Sequence, residues 1–388
     1  MQKEINNKKT KIADKHLIGK LDMPLMIVVI ILVAFGIVMV LSASAPSALA
    51  TYGNSYKYVI RQGEAAFMGL IIMYVISRMN YEPLKKYYIV IYAFSILFLF
   101  SVKIPGLGVV SNGANRWISI FGQQIQPSEI TKIGIIISLA GYYMDSKIDF
   151  NKFLYSFIIP VIFAIGIPMG ILLVFQNHLS AGIVIALVSF IIIIMSGIKT
   201  KHITKGISLG VGLGAVAALL LKNKISNGFR SDRIDAWIHP EENARTTAYQ
   251  TIQGLYAIGS GGLFGVGLGQ SKQKYLYIPE AHNDFIFAIL AEELGFVGCA
   301  AVLILFTILA IRGYLIAIQA KDKFGSLIAI GITTLIILQA ILNIAVVTNS
   351  IPNTGISLPF LSYGGTSLII LLAGIGLLLS ISRTNKKL

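Results

Sequence analysis

In a chain this apolar, ionisable residues at the rims of the apolar runs are where chemistry is expected. Asp284 closes a polar stretch, residues 222–284, and an apolar run begins directly after it. A carboxylate there can be a general base at a water–lipid boundary, or can merely cap a helix, which is worth roughly 1 kcal/mol. The same stretch holds Arg230, Arg233, Asp235, Arg245 and Glu280. Earlier, Arg116 and Trp117 precede Gln126, Pro127, Ser128, Glu129 and Lys132. Pro127 and Ser128 suit a helix start, and Glu129 suits the positive end of its dipole. Glu129 and Lys132 are spaced i,i+3 and can pair with each other. The alternative is that Arg116 and Lys132 hold an anionic head group, with Trp117 as an interfacial anchor. Arg61 opens the second apolar run, where it can snorkel to phosphate. Glu292 lies about two helical turns beyond Asp284, and pairing inside a bundle is expected of it rather than catalysis. The segment 343–367 combines Asn343, Pro352, Gly355, Pro359, Ser362, Tyr363, Gly364, Gly365, Thr366 and Ser367. It reads as a shaped, non-helical turn, which survives at membrane depth only when packed in protein or lining a cavity. Its hydroxyls, amides and N–H groups suit an uncharged sugar or a phosphate; a tight packed turn between two helices is the other reading.

The elements that must position these residues are membrane spans. Charged residues make up 13% of the 388 residues, against about 25% in soluble domains, and the mean hydropathy is +0.77. Runs of about 20 apolar residues cross a bilayer as helices. Ten are expected, at 24–44, 61–78, 86–103, 129–144, 154–175, 179–197, 204–221, 285–312, 324–347 and 366–383. The first resembles a signal peptide, with Ser42-Ala43-Ser44 and Ala48-Leu49-Ala50 as cleavage-like sites, but it is too long for a typical one and is read as an uncleaved helix. The net charge of +15 suggests nucleic acid until its distribution is seen. With the N-terminus inside, inner segments carry 20 Lys and Arg, and outer ones carry 4 once the long stretch is set aside. That is the positive-inside pattern, so the prediction is cytoplasmic termini, an outward-facing 222–284 and no nucleic-acid binding. The expected organisation is one membrane domain over 1–388, with a basic cytoplasmic tail at 1–23, a large extracellular loop at 222–284 and a cytoplasmic tail at 384–388. Gly210, Gly212 and Gly214 predict close helix packing. The single Cys299 allows no intrachain disulfide, and five His without a Cys/His cluster argue against structural zinc.

Taken in order, these segments resemble the SEDS family of shape, elongation, division and sporulation proteins, the FtsW/RodA/SpoVE group. The resemblance covers most of the chain. It rests on Arg61-Gln62, Ala-Asn-Arg-Trp-Ile at 114–118, Gln-Pro-Ser-Glu-Ile-Thr-Lys at 126–132 and Arg-Ile-Asp-Ala-Trp at 233–237. It continues through Tyr249-Gln250, the glycine-rich 257–262, Pro-Glu-Ala-His-Asn-Asp at 279–284, Glu-Glu-Leu-Gly at 292–295 and the turn at 352–365. One segment departs. Where the family often shows Glu/Gln-Pro-Asp-Leu-Gly/Ser-Thr between the fifth and sixth spans, this chain has Gln176, Asn177, His178, Leu179, Ser180, Ala181 and Gly182, with no acid. A role resting on that aspartate does not carry over, and a metal there is less expected.

The resemblance implies an all-α, polytopic membrane enzyme of about ten spans and one large extracellular loop. Its implied activity is that of a peptidoglycan glycosyltransferase polymerising lipid II, a disaccharide-pentapeptide on undecaprenyl pyrophosphate, at the outer membrane face. The implied partners are a class B penicillin-binding transpeptidase and other division, elongation or sporulation proteins. The family's essential loop aspartate falls on Asp284. A pyrophosphate is already a good leaving group, so the reaction needs positive charge and one base rather than the two carboxylates of a glycosidase. Asp284 is then the general base. Arg61, Arg116, Lys132 and Arg233 are expected to contact pyrophosphate, and Glu129, Ser362 and Thr366 complete the expected substrate site. A Mg²⁺ or Mn²⁺ bridging Asp284 and the pyrophosphate is an alternative for both jobs. A flippase for the lipid-linked precursor and a non-catalytic scaffold are the competing functions. Residues 271–282 look more like the division or sporulation branch than the elongation branch.

Overall fold

The computed structural model describes the backbone of residues 19–384 apart from 112–113, 121–122 and 226–228, and the side chains outside 110–114, 120–123 and 213–232. Expectations for the basic tail at 1–18, for Gly113 and for 385–388 lie outside these. Twelve helices are labelled here: α1 Met23–Tyr52, α2 Lys57–Arg78, α3 Tyr88–Phe100, α4 Pro127–Tyr142, α5 Leu154–Phe175, α6 Leu179–Met195, α7 Thr200–Ile225, α8 Phe229–Ile238, α9 Tyr249–Gly261, α10 Ile286–Gln319, α11 Lys323–Val347 and α12 Gly365–Ser382. Each of the ten expected spans overlaps one of them, leaving α8 and α9 inside the long interruption. Among the described residues, α1, α2, α5, α10, α11 and α12 are long and apolar enough to cross a membrane. The chain is an all-α, multi-pass membrane protein.

The first and eighth spans run further than their apolar cores predict. Helix α1 continues through Ser42–Ser44 and Ala48–Ala50 to Tyr52, since Ala and Ser cost a helix little. Helix α10 passes Arg312 to reach Gln319, because Arg312 is neutralised: its Nε and Nη2 lie 3.1 and 2.5 Å from the two oxygens of Asp22. In α5, Pro160 and Pro168 lack the N–H that a regular ladder needs, and the helix widens into π-type turns at 154–158 and 162–166. Hydroxyls of Tyr142, Tyr143 and Tyr92 donate to the carbonyls of Tyr155, Ser156 and Phe163 in these turns. The packing expected of Gly210, Gly212 and Gly214 is not seen where it can be judged. Gly210 and Gly212 face open space, so α7 does not use them against this chain.

Two features were not legible as elements. Residues 108–125 form a small antiparallel sheet, β1 Gly108–Ser111, β2 Ala114–Ile120 and β3 Gln123–Ile125, in the order β1-β2-β3. The long polar interruption is also structured. Beyond α8 and α9, its segment 262–274 is stitched to a break in α10. The break is at Gly295, whose φ of 64° and ψ of −162° leave the helical region, a conformation open to a residue without Cβ. Backbone groups freed there are taken up at once. Val266 and Gly267 N–H donate to the carbonyls of Glu292 and Glu293, and Phe296 and Val297 N–H donate to those of Gly262 and Leu263. The two buried carboxylates hold the next residues. Glu292 accepts from Ser271 Oγ and Lys272 N, and Glu293 accepts from Lys274 Nζ at 2.8 Å and Ser42 Oγ at 2.6 Å. The pairing expected of Glu292 is thus hydrogen bonding to the loop, and the buried ion pair belongs to its neighbour.

Candidate active site

Asp284 does not cap α10. The N-cap position is Phe285, and no side chain caps that end. The carboxylate is instead held against the turn after α11. Asn343, fully buried on α11, donates from Nδ2 to the carbonyl of Asp284 and to that of Ile356, each at 2.7 Å. Gly355 closes the approach. Its φ is +65°, and a Cβ there would lie 3.2 Å from Asp284 Oδ2. No other residue takes that backbone at so little cost while leaving room for the carboxylate. The Ser357 hydroxyl donates to the same carboxylate.

Burial, with Glu280 nearby, raises the pKa of Asp284 to about 6; the Ser357 hydrogen bond and the charges of Arg116 and Arg233 restrain the rise. Both arginines are tethered to loops around it. Arg116, on β2, donates from Nη2 to the Asn177 carbonyl at 2.8 Å. Arg233, on α8, donates from Nη1 to the Asn353 carbonyl at 2.9 Å, and Trp237 Nε1 reaches the Asn349 carbonyl at 3.0 Å. The segment 349–357 is therefore a strap. Arg233 and Trp237 hold it from α8, Asn343 from α11, and Ser180 from α6 through its bond to the Thr354 carbonyl.

Beside the strap lies a cavity of ≈ 60 Å³ whose lining includes Glu129, Lys132, His178, Gln339, Ser357 and Ser367. At roughly 10–15 Å³ of such space per held water, it takes a few waters or a phosphate group and is too small for a sugar. The expected pairing of Glu129 with Lys132 is present, with Lys132 Nζ 2.7 Å from Glu129 Oε1 and both side chains no more than 9% exposed. Ser367 Oγ donates to the other oxygen at 3.2 Å. A buried pair broken on one side leaves an uncompensated charge, at a cost of about 3–5 kcal/mol. Lys132→Met should accordingly lower unfolding stability in detergent by about that amount, and adding Glu129→Gln should recover much of it. A double variant no more stable than Lys132→Met, in thermal melts, would contradict the pairing.

The remaining expected contacts fall in different places. Ser362 accepts from Leu358 N at 2.8 Å, and Thr366 donates to the Gln124 carbonyl at 3.0 Å; both hydroxyls shape the turn and its junction with β3. Arg61 is exposed and bonds the Tyr363 hydroxyl, next to a ring cluster of Tyr58, His282 and Tyr363. The structure thus gathers Asp284, Arg116 and Arg233 into one electrostatic group and places Glu129, Lys132 and Ser362 on the cavity wall. Arg61 stands on the Tyr363 side. Residues without an assigned role in the sequence reading are Asn343, Ser357, His178 and Gln62. The Gln62 amide, fully buried, donates to the Ser362 carbonyl and accepts from Gly364 N, each at 3.1 Å. A buried amide in an apolar run was the available signal for Asn343 and Gln62.

Known proteins resemble this chain in sequence and in fold. The family model for FtsW/RodA/SpoVE, described as cell cycle protein, matches residues 23–387. A relative from Geobacter sulfurreducens (strain DL-1 / KN400), named probable peptidoglycan glycosyltransferase FtsW, is 38% identical over 94% of this chain and 96% of its own. Stage V sporulation protein E of Bacillus subtilis is 39% identical over 94% of this chain and 98% of its own. Among solved structures, a chain from a peptidoglycan synthase complex studied for coordination of polymerization and crosslinking superposes with a TM-score of 0.76 at 26% identity, covering 94% of this chain and 98% of that one. The rod shape determining protein RodA of Thermus thermophilus superposes with a TM-score of 0.67 at 26% identity, covering 95% and 98%.

Proposed function

The chain belongs to the FtsW/RodA/SpoVE family of cell cycle proteins, and from that premise we propose that it polymerises lipid II into glycan strands with Asp284 as the base. The observation that carries the mechanism is one carboxylate of raised proton affinity between two tethered guanidiniums. The acceptor sugar hydroxyl attacks the anomeric carbon of the donor and loses its proton to Asp284. The bond from that carbon to the pyrophosphate oxygen breaks, and its electron pair stays on the pyrophosphate. Raised affinity makes Asp284 a better proton acceptor than a solvent-exposed aspartate, while it stays mostly ionised at neutral pH. Arg116 and Arg233 meet the charge that develops on the leaving group. Lys132 joins them by exchanging Glu129 for phosphate, Ser362 and Thr366 shape the turn under the sugar, and Arg61 meets phosphate from the Tyr363 side.

Among the described residues no three His, Cys, Asp or Glu cluster as a metal site. A lone carboxylate still fits Mg²⁺ or Mn²⁺, which commonly binds one or two carboxylates plus substrate phosphates. Asp284 would hold it, and when bound it supplies positive charge to the pyrophosphate.

The positive-inside count supports cytoplasmic termini and an outward-facing 222–284. The division and sporulation names of the relatives support that branch. The synthase complex among the solved structures supports a class B transpeptidase as partner. The test is purified protein with lipid II in detergent, where no second compartment exists. Polymer there requires an enzyme, whereas movement of lipid II across vesicles without polymer would replace this reading with a flippase.

A further inference from the structure

We propose that His178 is a pyrophosphate-contact residue that becomes an imidazolium when one phosphate group of the donor's pyrophosphate enters the cavity, an inference that rests on the function proposed above. His178 is 7% exposed, its Nδ1 has no hydrogen-bond partner, and it lines the cavity with Glu129 and Lys132. A buried ring nitrogen left unpaired is costly and calls for a partner that arrives later. The backbone puts it beside a second cation. Asn177, at a φ of +48°, offers its carbonyl to Arg116 while His178 N–H donates to the Leu172 carbonyl. Arg116 and Lys132 both lie close enough for their charges to act on His178, Lys132 from the same cavity wall and Arg116 from the surroundings of Asp284.

The charges facing His178 are Arg116 from β2 and the Lys132–Glu129 pair from α4. Helix α11 contributes the neutral Gln339, and the strap contributes backbone and the neutral Ser357. Without ligand, burial first and then Arg116 and Lys132 hold the imidazole neutral, with a pKa of about 3. At about 4 Å and an effective dielectric of about 20, each negative charge added nearby raises its proton affinity by roughly a thousandfold. One phosphate charge brings it close to neutrality, and a pyrophosphate brings it further. The leaving pyrophosphate gains a charge as its bond to the sugar breaks, so the imidazolium favours the departing form.

The test uses the purified full chain in detergent and inorganic pyrophosphate as the probe, with calorimetric Kd measured from pH 6 to 8.5. Wild type should bind at least tenfold more tightly than His178→Gln at pH 6, and the gap should close to about twofold at pH 8.5. The probe's own titration is common to both proteins, so parallel curves overturn the inference. If His178→Gln does not fold, ¹⁵N NMR of the wild-type imidazoles decides. One ring should pass from neutral to imidazolium at pH 7 on adding pyrophosphate, and no change overturns the inference. Linkage at His178 without glycan synthesis would retain the anion site and sink the proposed function. Glycan synthesis without linkage would do the reverse.

Discussion

Asp284→Asn is expected to stop lipid II polymerisation while leaving the protein folded and slightly more stable. Loss of a general base typically costs 10²–10⁴-fold in rate, so strands should fall below detection in a gel assay that resolves the wild-type product. The amide keeps the size of the side chain and cannot accept the hydroxyl proton. Stability moves the other way because the folded site disfavours the charge. The pKa of Asp284 rises from an ordinary value of 3.8 to about 6, so the stabilisation that comes with its protonated form is complete below 3.8 and is lost as pH rises through 6. At neutral pH the ionised carboxylate is a liability that Asn removes, and the melting temperature should equal or exceed that of wild type. A pull-down with the transpeptidase proposed as its partner should be unchanged. A merely structural Asp284 predicts lowered stability together with lowered activity; a scaffold function predicts no effect on cell-wall synthesis.

Asn343→Leu should be the most damaging change outside the carboxylate itself. The side chain never touches substrate, yet its amide holds two buried carbonyls, those of Asp284 and Ile356, at 2.7 Å. Leu matches the size and removes both donors. Leaving each carbonyl unpaired costs about 1–3 kcal/mol, so for the two a stability loss of roughly 2–6 kcal/mol is expected. The strap and Asp284 also lose their shared pin, and a misplacement of about 1 Å can cost 10²-fold in rate. Steady-state assays should therefore show kcat down by about 10²-fold, with the KM for lipid II nearly unchanged, since Arg116 and Lys132 keep their partners Asn177 and Glu129 away from the strap. Loss confined to KM would mean that Asn343 shapes the substrate pocket rather than positioning the base.

What could be read from the sequence followed the strength of local signals. A bilayer demands long apolar helices, so a helix was legible in each of the ten apolar runs, six of them long enough among the described residues to cross a membrane, and the i,i+3 spacing of Glu129 and Lys132 gave their pair. Asp284 stood out as a carboxylate at the rim of an apolar run, where capping a helix was the ordinary reading and the family resemblance supplied the other. The sheet at 108–125 was not, since its strands are only 4, 7 and 3 residues long and show no sustained alternation. The helices α8 and α9 were missed because neither is long or apolar enough to stand out from a polar stretch. The break at Gly295 was hidden because its backbone groups are satisfied by residues some thirty positions earlier, which no local pattern reveals. The strap depends on carbonyls, and a carbonyl has no sequence signature. Only the donors Arg233, Trp237, Ser180 and Asn343 were visible, and their partners lie far away along the chain.

The account turns on Asp284 accepting a proton, and the rate of glycan synthesis against pH reads that directly. With purified protein and lipid II well below its KM, where the rate reports the free enzyme, the rate should be near maximal at pH 7.5, halve close to pH 6, and fall about tenfold per further pH unit as the carboxylate protonates. A rate unchanged down to pH 5 would contradict the account, because a base with a pKa of about 6 would then be mostly protonated without consequence.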